Sequence, residues 1–200
     1  MLSPDLDISP RVRAEATTFI DILGRHDKKT ADHCRRVARF CWELTKNNTS
    51  LPRELVVLGG LLHDIGKLPI ASEVLWPEDH GRSFTEEHRQ QLRYHPMNGH
   101  VILRTHHFRK LALIAGGHHY RGGAGYGIDP RSEPTVRQAL KPIVMADTVD
   151  AIVSRNDSHH DFDRHDPELV TAEMLQRFPG EGNAIELLVD QALSAPAVAQ

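Results

Sequence analysis

His33, His63, Asp64, His118 and Asp147 fall on, or at the ends of, apolar stripes spaced for helices. A polar group on such a face is costly to bury without a partner. Coordination of a metal ion removes that cost, and imidazole with carboxylate is a donor set suited to Zn, Fe or Mn. Asp64 adjoins His63, and its two oxygens can serve two ions, so the set points to a dinuclear centre. A lone buried histidine is more often a hydrogen-bonded core residue. The weight therefore rests on the set and not on any member.

The chain has fourteen histidines, and the others need sorting. His26-Asp27 is a second His-Asp pair, and His106-His107 and His159-His160 are further paired histidines, but all lie in polar, lysine- or aspartate-rich surroundings. Together with His80, His88, His100 and His165 they are expected on the surface or in loops.

The elements that must position the candidate ligands can be read from periodicity and punctuation. Ser9 as N-cap and Pro10 at the first helical position open a helix expected to run to Gly24. A second, from Thr30, carries Cys34, Val37, Phe40, Cys41 and Leu44 and turns His33 inward. A third starts near Ser50 and Pro52 and is apolar on nearly all sides. It delivers His63 and Asp64 and is expected to stop around Gly66.

Residues 68–82 read as loop. Ser83 with Glu86 has capping-box spacing and opens a short polar helix to about Arg93. His95-Pro96 starts the next helix, and a further stripe through Leu111, Ile114 and Ala115 leads to His118 and His119. The glycines between Arg121 and Gly127 suggest a loop over a pocket. A helix from Pro134 to Arg155, with Pro142 as a bend, places Asp147 on its apolar face. Two amphipathic helices, about 167–177 and 183–194, precede a tail.

The chain is thus expected to be all-α, a single-domain helical bundle of roughly seven to nine helices. Its first 29 residues would form a helix packed on a core of 30–170, with 171–200 part of the same domain. A formal charge of -3 supplies no basic face for duplex nucleic acid. No apolar run approaches the roughly eighteen residues of a membrane span, and the acidic, proline-punctuated start is unlike a signal peptide. Cys34 and Cys41, seven apart on one helix, suit buried positions in a reducing compartment. These features suit a cytoplasmic protein and leave a small phosphorylated ligand open. Nothing marks an oligomeric state.

His33, the string His63-Asp64-Ile65-Gly66-Lys67, His95-Pro96 with Gly99, His118-His119, and Ala146-Asp147 with Asp150-Ala151 resemble the HD superfamily of metal-dependent phosphohydrolases. In order and spacing they are similar to its HD-GYP branch over roughly residues 30–170. The resemblance implies an HD-type bundle in which His33, His63, Asp64 and Asp147 hold one divalent ion. His95, His118 and His119 would hold a second that shares Asp64. Iron or manganese is implied first, and zinc, nickel or cobalt would also suit such ligands. The implied reaction is hydrolysis of a cyclic dinucleotide such as cyclic di-GMP by a metal-bridging hydroxide, with Asp64 and Lys67 catalytic. Lys67, Arg121 and Tyr126 would contact substrate, and the Gly122–Gly127 loop would meet protein partners.

Three departures from the branch pattern stand out. Its His-His-Glu is here His118-His119-Tyr120. Its GYP loop is Gly125-Tyr126-Gly127, one residue short, and glycine for proline is expected to loosen it. Lys29 stands where members with a third ion carry a glutamate, so two ions are expected. An HD-type mononucleotide phosphohydrolase, a catalytically weak metal-containing binding module and an oxygen-activating di-iron protein are the alternative functions.

Overall fold

The computed structural model describes residues 2–120, 125–130, 132–154 and 162–194. Among them the chain is helical, with no strand, and has nine α-helices of seven residues or longer. This matches the expected all-α bundle.

Helix α1 (Pro10–His26) begins as anticipated, with the Ser9 hydroxyl accepting from the Val12 amide and proline in the first turn. It continues two residues past Gly24. Asp27 then caps α2 (Lys28–Thr45), accepting from the Lys29 amide, so the two helices meet with one residue between them. Helix α3 (Arg53–Leu62) is buried from Val56 to Leu62 because α1, α2, α7 and α8 surround it.

That helix ends at Leu62 and not at Gly66. His63 keeps helical dihedrals, Asp64 turns to φ -98° and ψ 10°, and Ile65–Lys67 form a 3-10 turn. The dyad is therefore at a helix exit, where its side chains are freed from the helix's own surface.

The segment expected to be loop, 68–82, instead holds a short helix α4 (Ser72–Leu75) and a 3-10 turn, Pro77–His80. Long-range bonds pin it. The Trp76 indole N–H donates to Asp27 Oδ2 at 2.9 Å, Lys29 Nζ reaches Asp79 at 2.5 Å and lies over the Trp76 ring, and His26 Nε2 bonds the Ile70 carbonyl. Helix α5 (Glu86–Leu92) is capped by Thr85 and closed by His88, not by Ser83 and Glu86. The preceding run was read two residues too early.

Helices α6 (His95–Thr105) and α7 (Arg109–Gly117) pack on each other, and the 3-10 turn after the dyad packs on α6. Helix α8 (Pro134–Ser154) contains Pro142 and crosses α2 and α3. Helices α9 (Pro167–Arg177) and α10 (Gly182–Ser194) lie where periodicity placed them and pack on each other, and both contact α8. One apolar cluster runs from Leu6 to Ala192.

Candidate metal centre

Four helices and one helix exit bring the expected ligands together. His33 comes from the buried face of α2, His63 and Asp64 from the end of α3, His95 from the start of α6, His118 and His119 from the end of α7, and Asp147 from α8. His33, His63, Asp64, His95 and His118 are buried.

Asp64 is the point where two groups meet. On one side its Oδ2 is 3.6 Å from His63 Nε2 and 3.8 Å from His33 Nε2. Asp147 Oδ1 completes this side at 3.1 Å from His33 Nε2 and 3.7 Å from His63 Nε2. On the other side Asp64 Oδ1 is 3.2 Å from His95 Nε2 and 3.7 Å from His118 Nε2. His33, His63 and Asp64 form one cluster able to hold a metal ion, and His95, His118 and His119 form another.

The protonation states follow from what lies behind each ring. His63 Nδ1 is 2.9 Å from the Gly60 carbonyl, His95 Nδ1 is 2.6 Å from that of Leu92, and His118 Nδ1 is 2.8 Å from that of Ala115. A carbonyl only accepts, so each Nδ1 carries a proton; burial keeps His63 and His118 neutral, and those two rings turn a bare Nε2 lone pair inward. His95 Nε2 and His118 Nε2 face each other at 3.1 Å, and Asp64 Oδ1 adds an acceptor 3.2 Å from His95 Nε2. Crowding this many buried acceptor atoms together is unfavourable unless positive charge is shared among them. A metal cation could supply that charge, and back-bonding of this kind is the usual support of metal-ligating histidine.

Electrostatics agree. Burial and the neighbouring rings of His119, His95 and His63 hold His118 well below its ordinary value, and burial with His95 lowers His119 to about 4. Burial likewise lowers His63. Burial opposes the Asp64 carboxylate, but the Lys67 ammonium beside it prevails and helps hold Asp64 well below the usual range. His33 differs: burial disfavours its cation, yet hydrogen bonds to Asp147 and Asp150 prevail and raise it to about 9.

Lys67 projects from the 3-10 turn onto Asp64 Oδ2 at 2.5 Å, so in this structure it clamps the shared carboxylate. The Tyr126 ring stacks on His119 with centroids 4.7 Å apart, on the flank of the His95 cluster. Arg121 lies outside the described residues, as do residues 122–124 of the glycine-rich loop.

The loop departure has a different character from the looseness expected. Gly127 has φ +109°, and a Cβ there would be 2.3 Å from the Gly116 carbonyl oxygen, which also accepts from the Ile128 amide. Glycine is required at this close approach, and proline, fixed near φ -65°, cannot adopt it. Tyr120, in the place of the missing glutamate, donates to Asp129 at 3.0 Å.

The remaining histidines separate largely as expected. His106 is exposed and meets the Phe19 ring edge-on, and His88 serves the α5 cap. His88 and His100 are half-buried, His100 within α6 and bonded to the Ala112 carbonyl. His159 and His160 lie outside the described residues. Asp27 of the second His-Asp pair is buried, but its partners are the Lys29 amide, Thr30 and Trp76, and its work is capping.

Two residues at the centre had no role assigned from sequence. Asp150 is buried behind His33, its Oδ2 2.7 Å from Nδ1, and Arg36 grips the same carboxylate through Nε at 2.7 Å and Nη2 at 2.9 Å. The signal was spacing, for Arg36 is three residues after His33 and Asp150 three after Asp147, each on its ligand's face.

No curated protein and no solved structure matches the chain. A family model does, that of the HD domain, over residues 30–161, the stretch that begins at the α2 turn bearing His33 and contains every residue of the two clusters. With that match spanning well over half its length, the chain belongs to the HD domain family.

Proposed function

We propose that the protein is a metal-dependent phosphohydrolase that holds two divalent ions and cleaves a phosphodiester in a small phosphorylated compound, a cyclic dinucleotide such as cyclic di-GMP being the first substrate to test. The carrying observation is the pair of buried histidine and carboxylate clusters that meet at the two oxygens of Asp64. His33, His63, Asp64 and Asp147 would hold one ion, and His95, His118, His119 and Asp64 the other. Divalent ions in such a setting make water a competent nucleophile near neutral pH and polarise phosphoryl oxygens.

The chain's own groups do the rest. Lys67 keeps Asp64 ionised and orients it, and the remaining donors of its ammonium can meet a phosphate oxygen. Main-chain carbonyls fix the tautomers of His63, His95 and His118. Tyr126, stacked on His119, offers an aromatic wall at the flank of the site.

A second reading, hydrolysis of a mononucleotide, is favoured by Gly127, whose backbone excludes the proline of the cyclic-dinucleotide branch. Purified protein loaded with manganese or, under exclusion of air, with iron should cleave at least one of cyclic di-GMP, a generic aryl phosphodiester and a nucleoside monophosphate. Product chromatography separates the two readings. Absence of hydrolysis on all three with metal bound would favour a binding module instead.

A further inference from the structure

The imidazoles of this centre have two kinds of backing. Those of His63, His95 and His118 rest on neutral carbonyls three residues earlier in the chain. That of His33 rests on a carboxylate, Asp150, 2 % exposed and itself held by the two-pronged contact of Arg36. The α2–α8 contact forms two rungs, His33 to Asp147 at 3.1 Å and Arg36 to Asp150 at 2.7 Å, and Asp150 links them by reaching His33.

Charge is divided as unevenly as backing. The His33 side has Asp147 to itself and shares Asp64, whereas the side of His95, His118 and His119 has three imidazoles and only the other Asp64 oxygen as a carboxylate. A carboxylate behind a ligating histidine fixes its orientation and makes it a stronger donor. More negative charge and a stronger donor therefore fall on the same side.

We propose that Asp150, held by Arg36, is a positioning residue that sets His33 as a ligand and makes the His33–His63–Asp64–Asp147 side the tighter of two unequal ion sites. This rests on the two-ion reading above. Loading is then sequential, the His95 side filling second.

The test is titration of the full-length protein with cobalt(II), followed by visible absorption and by metal content after dialysis. Wild type should take up two equivalents in two unequal steps. Asp150→Asn keeps the shape and removes the charge; it should weaken the tight step by about 10–100-fold, alter the spectrum of the first equivalent and leave the weak step in place.

Arg36→Gln is the structural control. It removes the ion pair between α2 and α8 but leaves a carboxylate on His33, so it should lower the melting temperature of the metal-free protein while the tight step survives. If Asp150→Asn binds both equivalents like wild type, or if Arg36→Gln reproduces its binding defect in full, Asp150 is only a structural pin and the proposal fails. Should the asparagine variant not fold, Asp150→Glu, which keeps the charge but misplaces it, should weaken the tight step selectively; an unaltered tight step would overturn the idea. A wild-type protein that takes up no cobalt refutes the metal reading itself, whatever Asp150 does.

Discussion

The main-chain oxygen of His95 occupies the space that a side chain on Gly66 would need: a Cβ on Gly66 would lie 1.8 Å from it and 2.4 Å from the Gly99 nitrogen. The glycine two residues after Asp64 thus lets the start of α6 close on the helix exit that carries the dyad. This is what brings His95 Nε2 to 3.2 Å from Asp64.

Gly66→Ala should therefore damage both fold and site. The clash is with backbone, which cannot rotate away, so a loss above about 3 kcal/mol is expected, at the upper end for overpacking. Denaturant unfolding measures it, and the surviving folded fraction should bind less metal. A variant as stable as wild type would contradict this packing.

Asp64→Asn removes the carboxylate shared by the two clusters and leaves Lys67 without its anion. Metal content should fall and hydrolysis should be lost. His106→Ala, at an exposed ring outside both clusters, should change neither. Equal losses from the two substitutions would mean that burial is a poor guide to the ligands.

The second His-Asp pair predicts the opposite outcome. Asp27→Ala removes the cap of α2 and the acceptor of the Trp76 indole, which should cost about 1–2 kcal/mol as caps do. Metal content per folded molecule should stay at the wild-type level. Thermal unfolding and elemental analysis on the same sample decide it.

Gly127→Pro writes the branch signature back into the loop, yet it should not restore a cyclic-dinucleotide enzyme. With φ at +109° and the Gly116 oxygen in the way, the substitution should destabilise by at least the ~1–3 kcal/mol typical of backbone strain. A gain in cyclic di-GMP turnover without loss of stability would show the loop to be built differently.

Stability of the metal-free protein should depend on pH with a definite sign. His119 titrates at about 4 when folded against 6.5 unfolded, so between those values the unfolded chain binds more protons and stability rises with pH. His63 and His118 shift the same way. His33 shifts upward to about 9, so its contribution is full below 6.5 and lost as pH rises through 9. In chelator, the melting temperature should fall as pH drops from 6.5 to 4 and decline again toward 9. A flat profile on the acid side would be incompatible with buried neutral imidazoles.

Helix placement was legible because apolar spacing at 3.6 residues is a local property, and Ser9, Pro10, Asp166 and Pro167 mark ends by chemistry of their own. The sorting of most histidines was legible for a related reason: a ring on an apolar stripe must go inward with it. The exit after Leu62 and the helical turns in 68–82 were not, since they depend on Gly66 meeting α6 and on Trp76 and Lys29 meeting residues of the α1–α2 junction.

By itself, then, the sequence determined an all-helical chain and which faces carry His33, His63, Asp64, His118, His119 and Asp147, because helical periodicity is written in neighbouring residues; His95 was marked by family resemblance alone. Tertiary structure alone decided that the imidazole lone pairs converge on the two oxygens of Asp64, that Lys67 grips that carboxylate, and that Asp150 and Arg36 stand behind His33. Those are distances between helices far apart in the chain, set by how their faces pack; local spacing puts Arg36 and Asp150 on the faces of His33 and Asp147 but does not bring those faces together.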